Sequence, residues 1–374
     1  MRDPDAAVAA FKRNTDWIYS TTFDTRKKSA PSRAAQVRAG KSAAREERSM
    51  NRRSLISAVA ALAVAAGLAF CAPARAENKE IVYLTPGLDL PFWRYLSKGI
   101  EAQAKKDGYS YTALDSHNSA ETQLKNAQDA IARGVAGIAI SPTDSSTAPS
   151  VLALAARAKI PVVVADIGTN SGEYVSFVIS DNKEGAHGVG VALAEALKEK
   201  GWTDGSIGLI TISQARKNGQ ARTGGFRDAM KEAGITKEAG LQQMQSYTAD
   251  ETFKFTQDML TANPNMRGMF IQTDQPTLGA LRAIKAAHRE GTLLVAAFDG
   301  IPDFVNLLKQ GEIVASGMQQ PYLMGVKSGE ALVTALKGGK PDKQILVPIV
   351  IATSKNIDQI LPMIKQTVFA NELQ

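Results

Sequence analysis

From Glu80 to about Val350 the chain alternates two patterns, and that alternation limits its fold more than any single motif does. The first pattern is short, apolar and rich in β-branched residues. It occurs at Glu80–Thr85 (EIVYLT), Tyr109–Asp115, Gly137–Ser141, Pro161–Asp166 and Val175–Ile179. It returns at Ile207–Ile212, Gly268–Gln272, Leu293–Phe298 and Ala315–Met318. The second pattern is amphipathic and of helical length. In Ser119–Arg133 the apolar Leu124, Ala127 and Ile131 recur at helical spacing, with polar residues opposite. Asn182–Lys200 and Asp274–Glu290 read the same way. Strands that are apolar on both faces and alternate with helices predict parallel sheets covered on both sides. There are too many such units for one small sheet, so two α/β lobes are expected.

Open parallel sheets bind ligands beyond the carboxyl ends of their strands. The residues just past each run are therefore the candidates. They are Phe92 and Trp93, then Ser141 (followed by PTDSS), Asp166 (VVVAD) and Ser180-Asp181-Asn182. Later come Gln272-Thr273-Asp274, Asp299 (AAFDG) and Gln319-Gln320. This set offers carboxylates, amides and hydroxyls beside an aromatic pair, and it has no thiol. Carboxylates and amides bond hydroxyls, and aromatic faces cover C–H surfaces, so the set suits a polyhydroxylated ring.

Charge and cysteine usage narrow the class further. The formal net charge of +7 suggests nucleic acid at first sight. However, residues 77–374 carry 30 basic and 31 acidic residues, so the basic excess lies upstream and the electrostatic case for nucleic acid falls away. Residues 50–76 hold a short basic segment (MNRR), an apolar run Leu55–Phe70 and a small-residue site ending Ala74-Arg75-Ala76. This is the pattern of a secretory signal peptide cleaved near Ala76, with a membrane anchor disfavoured by Pro73 and the cleavage site. Residues 1–49 show no sustained apolar period and are expected to be a non-native or disordered extension, with Met50 as initiator. The one cysteine, Cys71, lies in this leader, so no disulfide framework is expected after cleavage.

Enzyme signatures are missing. There is no G-x-S-x-G, P-loop, H-E-x-x-H or EF-hand loop, and His117, His187 and His288 are scattered. Gly188-Val189-Gly190 lies inside a helical pattern and lacks the third glycine of a dinucleotide loop. No cofactor is expected.

The chain resembles the type I periplasmic sugar-binding proteins of bacterial ABC importers, and is most similar to the ribose-binding branch. The resemblance rests on PFW with GIEAQAKKDGY, LDSHNSAETQLKNAQDAIARGVAGIAISPTDSS, IPVVVAD, VISDN, ARTGGF, FIQTDQPTLGALRAI, AAFDGIPD and MQQP, in collinear order. It implies two Rossmann-like lobes with three inter-lobe crossings and hinge closure around the ligand. One lobe would span 77–181 plus 320–350, and the other 182–319 plus 351–374. By resemblance, Phe92 and Trp93 cover one face of a sugar and Tyr247 the other. Asp166 and Asp299 accept hydroxyls, Arg222 and Gln319 bind the ligand, and Ser141 and Thr273 occupy ligand positions.

Four positions depart from the ribose pattern. Leu90, Ser141 and Thr273 stand where ribose binders carry asparagine, and Ile167 where they carry arginine. Lost donors leave ligand groups unpaired, which predicts a ligand other than ribose, such as a deoxy sugar or a polyol. Five of the candidates also have a structural reading. Phe92 and Trp93 read as core at a helix start, Asp166 and Asp299 as helix N-caps, and Arg222 as a solvated helix residue.

The expected function is capture of a sugar or polyol for an ABC permease. The chain would act as a periplasmic monomer, reaching the membrane only through the permease, with no nucleic acid partner. The alternatives are a sensory protein that presents the ligand to a chemoreceptor or sensor kinase, a repressor and a hydrolase. The repressor lacks a helix-turn-helix, and the hydrolase lacks a nucleophile–base pair.

Overall fold

The computed structural model describes residues 79–372. The expected signal peptide and cleavage site, Cys71 and residues 1–49 lie outside the described residues. Two six-stranded sheets organise the rest. The first is built from β1 (Glu80–Thr85), β2 (Ser110–Asp115), β3 (Gly137–Ile140), β4 (Val162–Ala165), β5 (Ser176–Ile179) and β11 (Gln344–Leu346), in the order β11-β5-β4-β3-β1-β2. Every pair in it is parallel, with Ile81 opposite Tyr111 on one side and Gly137 on the other.

The second sheet contains β6 (Ser206–Thr211), β7 (Glu238–Gln243), β8 (Met266–Ile271), β9 (Leu294–Phe298), β10 (Ala315–Met318) and β12 (Val350–Thr353). Its order is β12-β10-β9-β8-β6-β7, and only β12 runs antiparallel to its neighbour. The central strands β3, β4 and β10 are buried along their whole length, as apolar strands covered on both faces must be.

Ten helices cover these sheets among the described residues. They are α1 (Pro91–Lys106), α2 (Ala120–Ala132), α3 (Ala148–Arg157), α4 (Asn182–Lys200) and α5 (Lys217–Glu232), then α6 (Ala249–Ala262), α7 (Gln275–Ala286), α8 (Asp303–Gln310), α9 (Pro321–Leu336) and α10 (Ile357–Thr367). Their ends follow local chemistry. Ser119 caps α2 by accepting from the Thr122 amide, and Asp181 caps α4 by accepting from that of Glu184. Gly201 closes α4 at φ 70°. The helix expected to run to Glu290 stops at Ala286, and His288 turns the backbone to φ 55°.

The chain crosses between sheets three times: between β5 and α4, between β10 and α9, and between β11 and β12. Helices α1 and α9 pack on each other closely because glycines meet there. A Cβ on Gly325 would lie 2.1 Å from the Leu96 carbonyl oxygen, and one on Gly99 would lie 2.2 Å from that of Tyr322.

Three strands escape the sequence reading: β7 (EAGLQQ), β11 (QIL) and β12. All three are sheet edges. An edge strand is covered less completely, so it lacks the continuous apolar run that marks a central one.

Candidate functional site

The carboxyl ends of both sheets face one cleft of about 380 Å³, part of it open to solvent. One wall is the start of α1. Pro91 sits in the first turn with its φ already suited to a helix, and Leu90 before it is extended. That turn places Phe92 and Trp93 edge to face, with ring centroids 4.8 Å apart and planes at 83°. Both rings are buried, and both line the cleft.

The opposite wall is Tyr247, in the loop before α6. Its backbone is left-handed, at φ 57°. A capping box holds it there. Thr248 accepts from the Glu251 amide, while the Glu251 carboxylate accepts from the amides of Gln245, Ser246 and Tyr247. The Tyr247 hydroxyl then accepts from the Ser213 amide at 3.1 Å.

Asp166 and Asp299 form the floor. Each is the first residue past a central strand, β4 or β9, and each is left-handed, at φ 60° and 61°. Their amides donate to the Val178 and Gly317 carbonyls at 2.9 Å, so both carboxylates leave their sheets in the same manner. Non-glycine residues in this conformation are uncommon, aspartate among the more tolerant, and such strain concentrates at functional sites.

Neither carboxylate caps a helix. Asp299 takes the Arg222 guanidinium at 3.0 Å and the Gln319 amide nitrogen at 3.0 Å. Asp166 Oδ2 accepts from Asn218 Nδ2 at 3.0 Å. Asp274 is the capping aspartate, accepting from the Gln275 amide at 2.7 Å, with the Thr273 hydroxyl beside it. Arg222 is not a solvated helix residue. It is buried, donates to Asn182 Oδ1 and the Gln272 carbonyl at 2.7 Å, and lies 4.0 Å over the Phe298 ring.

Burial sets the electrostatics. It pushes the Asp166 carboxyl up to about 6, with Arg222 pulling it down and Asp299 adding to the rise. Burial also pushes Asp274 up to about 6, with Asp299 as the next cause. Asp299 is raised by burial as well, against the pull of Arg222. Asp166 Oδ1, Asp274 Oδ2 and Gln319 Oε1 are buried without a hydrogen-bond partner. All three are acceptors, so the site fits a ligand that brings donors. Among the described residues no three His, Cys, Asp or Glu side chains come together so as to hold a metal ion.

The lobes meet across this cleft through three consecutive residues at the start of α5. Arg216 donates from Nε to the Thr143 carbonyl and from Nη2 to Asn118 Oδ1, both at 2.8 Å. Lys217 donates from its amide to Ser145 Oγ at 3.2 Å and from Nζ to the Thr169 carbonyl at 2.9 Å. Asn218 reaches Asp166, as above.

Of the residues singled out from sequence, Phe92, Trp93, Asp166, Arg222, Tyr247, Thr273, Asp299 and Gln319 line this one cleft. Ser141 does not. It is fully buried, its hydroxyl is bonded to that of Tyr83 at 2.9 Å, and its carbonyl accepts from Gln123 at 2.9 Å. The Tyr83 phenol already occupies the side chain that would have faced a ligand.

Arg216, Asn218 and Ile212 also line the cleft, as do Leu90 and Asp274. Asp274 was among the strand-end candidates and Leu90 among the departures from the ribose pattern, but sequence reasoning did not select Arg216, Asn218 or Ile212. A signal for the first three was present. β6 ends at Thr211, and the strand-end rule applied there points straight into ISQARKN.

Comparison with known proteins gives a consistent picture. Residues 81–340 match the family described as the periplasmic binding protein domain. The ribose import binding protein of Salmonella typhimurium is 32% identical over 292 residues, which cover 78% of this chain and 95% of that protein. A carbohydrate transporter solute binding protein from Agrobacterium radiobacter, solved with D-arabinose, shares the fold at a TM-score of 0.72 and 24% identity, over 79% of this chain and 100% of that one. A Caulobacter myo-inositol binding protein, solved with myo-inositol, matches at a TM-score of 0.69 and 25% identity, over 76% of this chain and 96% of that one.

Proposed function

This chain belongs to the periplasmic binding protein family, and on that premise we propose that it captures a sugar or sugar-like polyol and delivers it to an ABC permease. One observation carries the reading. Three buried acceptors, Asp166 Oδ1, Asp274 Oδ2 and Gln319 Oε1, stand without partners in a cleft walled by Phe92, Trp93 and Tyr247. Hydroxyl groups supply the donors those oxygens need, and the C–H faces of a ring suit the aromatic walls. Arg222, held by Asp299, adds a fixed positive charge beside them. The relatives named for import favour the importer over the sensory reading.

The remaining parts of the reading follow from this one. Capture is a binding event with no bond made or broken, and it closes the lobes about their three crossings. The protein works as a monomer in the periplasm after removal of residues up to about Ala76. The lobes divide as 77–181 plus 320–350 and 182–319 plus 351–374, a division supported by which sheet each strand joins. The ligand is not ribose. Leu90 and Thr273, two of the four departures from the ribose pattern, line the cleft, while Ile167 is buried in the first lobe's core.

The test is thermal unfolding of the full chain against pentoses, hexoses, deoxy sugars and polyols. A ligand at about 100 times its dissociation constant should add roughly 2.7 kcal/mol. That corresponds to a rise on the order of a few degrees. A panel without a shift refutes the sugar reading, and a large shift with ribose refutes the exclusion of ribose.

A further inference from the structure

Arg216 stands at the start of α5 and is nine-tenths or more buried, at 5% exposure. Two of its five N–H groups are committed across the cleft, to the Thr143 carbonyl and to Asn118 Oδ1. On its own lobe it lies 5.1 Å over the Tyr247 ring. Among the described residues it forms no ion pair. A buried guanidinium held this way has three donors left over, beside the spaces it lines.

Those spaces are three. Arg216 lines the inner cleft, whose walls are mostly buried, and two neighbouring outer voids of about 860 and 450 Å³ that the exposed Asn118 and Gln245 help to line; all three spaces are partly open to solvent. Leu90, Trp93 and Tyr247 border both the inner cleft and the larger outer void. The inner space would therefore run into the outer one if the guanidinium were removed. The outer void has polar walls of its own in Asp89, His117, Gln245 and Ser246, which a second ring or a glycosidic substituent could use.

We propose that Arg216 is a specificity-determining residue: the wall that confines the binding cavity to a single unsubstituted ring and excludes glycosides and disaccharides. The proposal rests on the sugar-binding reading above. A substituent that leaves the ring toward the mouth must displace the guanidinium and break two charge-assisted hydrogen bonds. The buried Thr143 carbonyl would then have lost its donor.

The experiment compares the full chain with Arg216→Ala and Arg216→Lys by titration calorimetry. The probes are D-arabinose, D-allose, D-ribose and myo-inositol, and the methyl glycosides of the three sugars. The wild type should prefer a free sugar to its methyl glycoside, and Arg216→Ala should lose about tenfold or more of that preference. Arg216→Lys keeps the charge without the planar fork and should fall between.

Equal weakening of sugar and glycoside in Arg216→Ala would overturn the proposal, because Arg216 would then only hold the lobes together. Equal affinity for both in the wild type would overturn it too. If the wild type binds none of the panel, the sugar reading fails, and the wall is judged by acrylamide quenching of Trp93, assigned by difference from Trp93→Phe. Steeper quenching in Arg216→Ala supports the wall, and unchanged quenching overturns it.

Discussion

Replacing Asp166 by asparagine should make the chain more stable at neutral pH while weakening its hold on a ligand. The side chain is 2% exposed, and burial lifts its carboxyl from the ordinary 3.8 to about 6. The folded state therefore binds that proton more tightly than the unfolded chain does. The resulting stabilisation is complete below about pH 3.8 and is lost as pH rises through about 6. Above that window the buried charge costs on the order of 3 kcal/mol, at 1.36 kcal/mol per pKa unit.

Asparagine removes the charge and keeps an oxygen to accept from Asn218 Nδ2. It also tolerates the left-handed backbone at φ 60°. Its NH₂ takes the place of Oδ1, which has no partner, and an unpaired buried donor costs about 1–2 kcal/mol. The net expectation is a gain of roughly 1–2 kcal/mol at about pH 7.5, and a loss of similar size at about pH 4. Urea denaturation of the full chain at several pH values reads this directly. Some slope should persist, because Asp274 titrates in the same window. A variant that loses the same stability at every pH would refute the reasoning.

Arg222→Met should destabilise by about 3–5 kcal/mol and abolish sugar binding, because Asp299 is left buried and charged. Thermal melts showing under about 1 kcal/mol of loss would remove the pair from the argument. Leu90→Asn restores the donor of the ribose pattern and should raise D-ribose affinity by about tenfold, and calorimetry without a gain would exclude Leu90 as the reason ribose is refused. Gly325→Ala drives a methyl into the Leu96 carbonyl, 2.1 Å from where the Cβ must sit, and should cost about 1–3 kcal/mol. An unchanged melting temperature would mean that α1 and α9 can separate freely.

The central strands were legible because burial on both faces demands unbroken apolar runs, and Val162–Ala165 or Leu294–Phe298 could be little else. The edge strand Glu238–Gln243 was not, since a partly covered face permits EAGLQQ. Strand ends located Asp166, Thr273 and Asp299 for the same reason that they located Ser141. The rule names a place in the chain and leaves open which way the side chain turns. Ser141 turned into the first lobe, where the Tyr83 hydroxyl was waiting.

The sequence by itself determined the layers, the alternation of the central strands with helices, and the kind of chemistry gathered at the strand ends. Each of these follows from residues close together in the chain. Only the tertiary structure decided what those groups meet. Arg216 finds Thr143 and Asn118, which are 73 and 98 residues away, and Asn218 finds Asp166 at a separation of 52. Those meetings set the burial of Asp166 and the shape of the cleft. A carboxylate's proton affinity and a cavity's size both depend on groups brought together from distant parts of the chain, and periodicity carries no record of them.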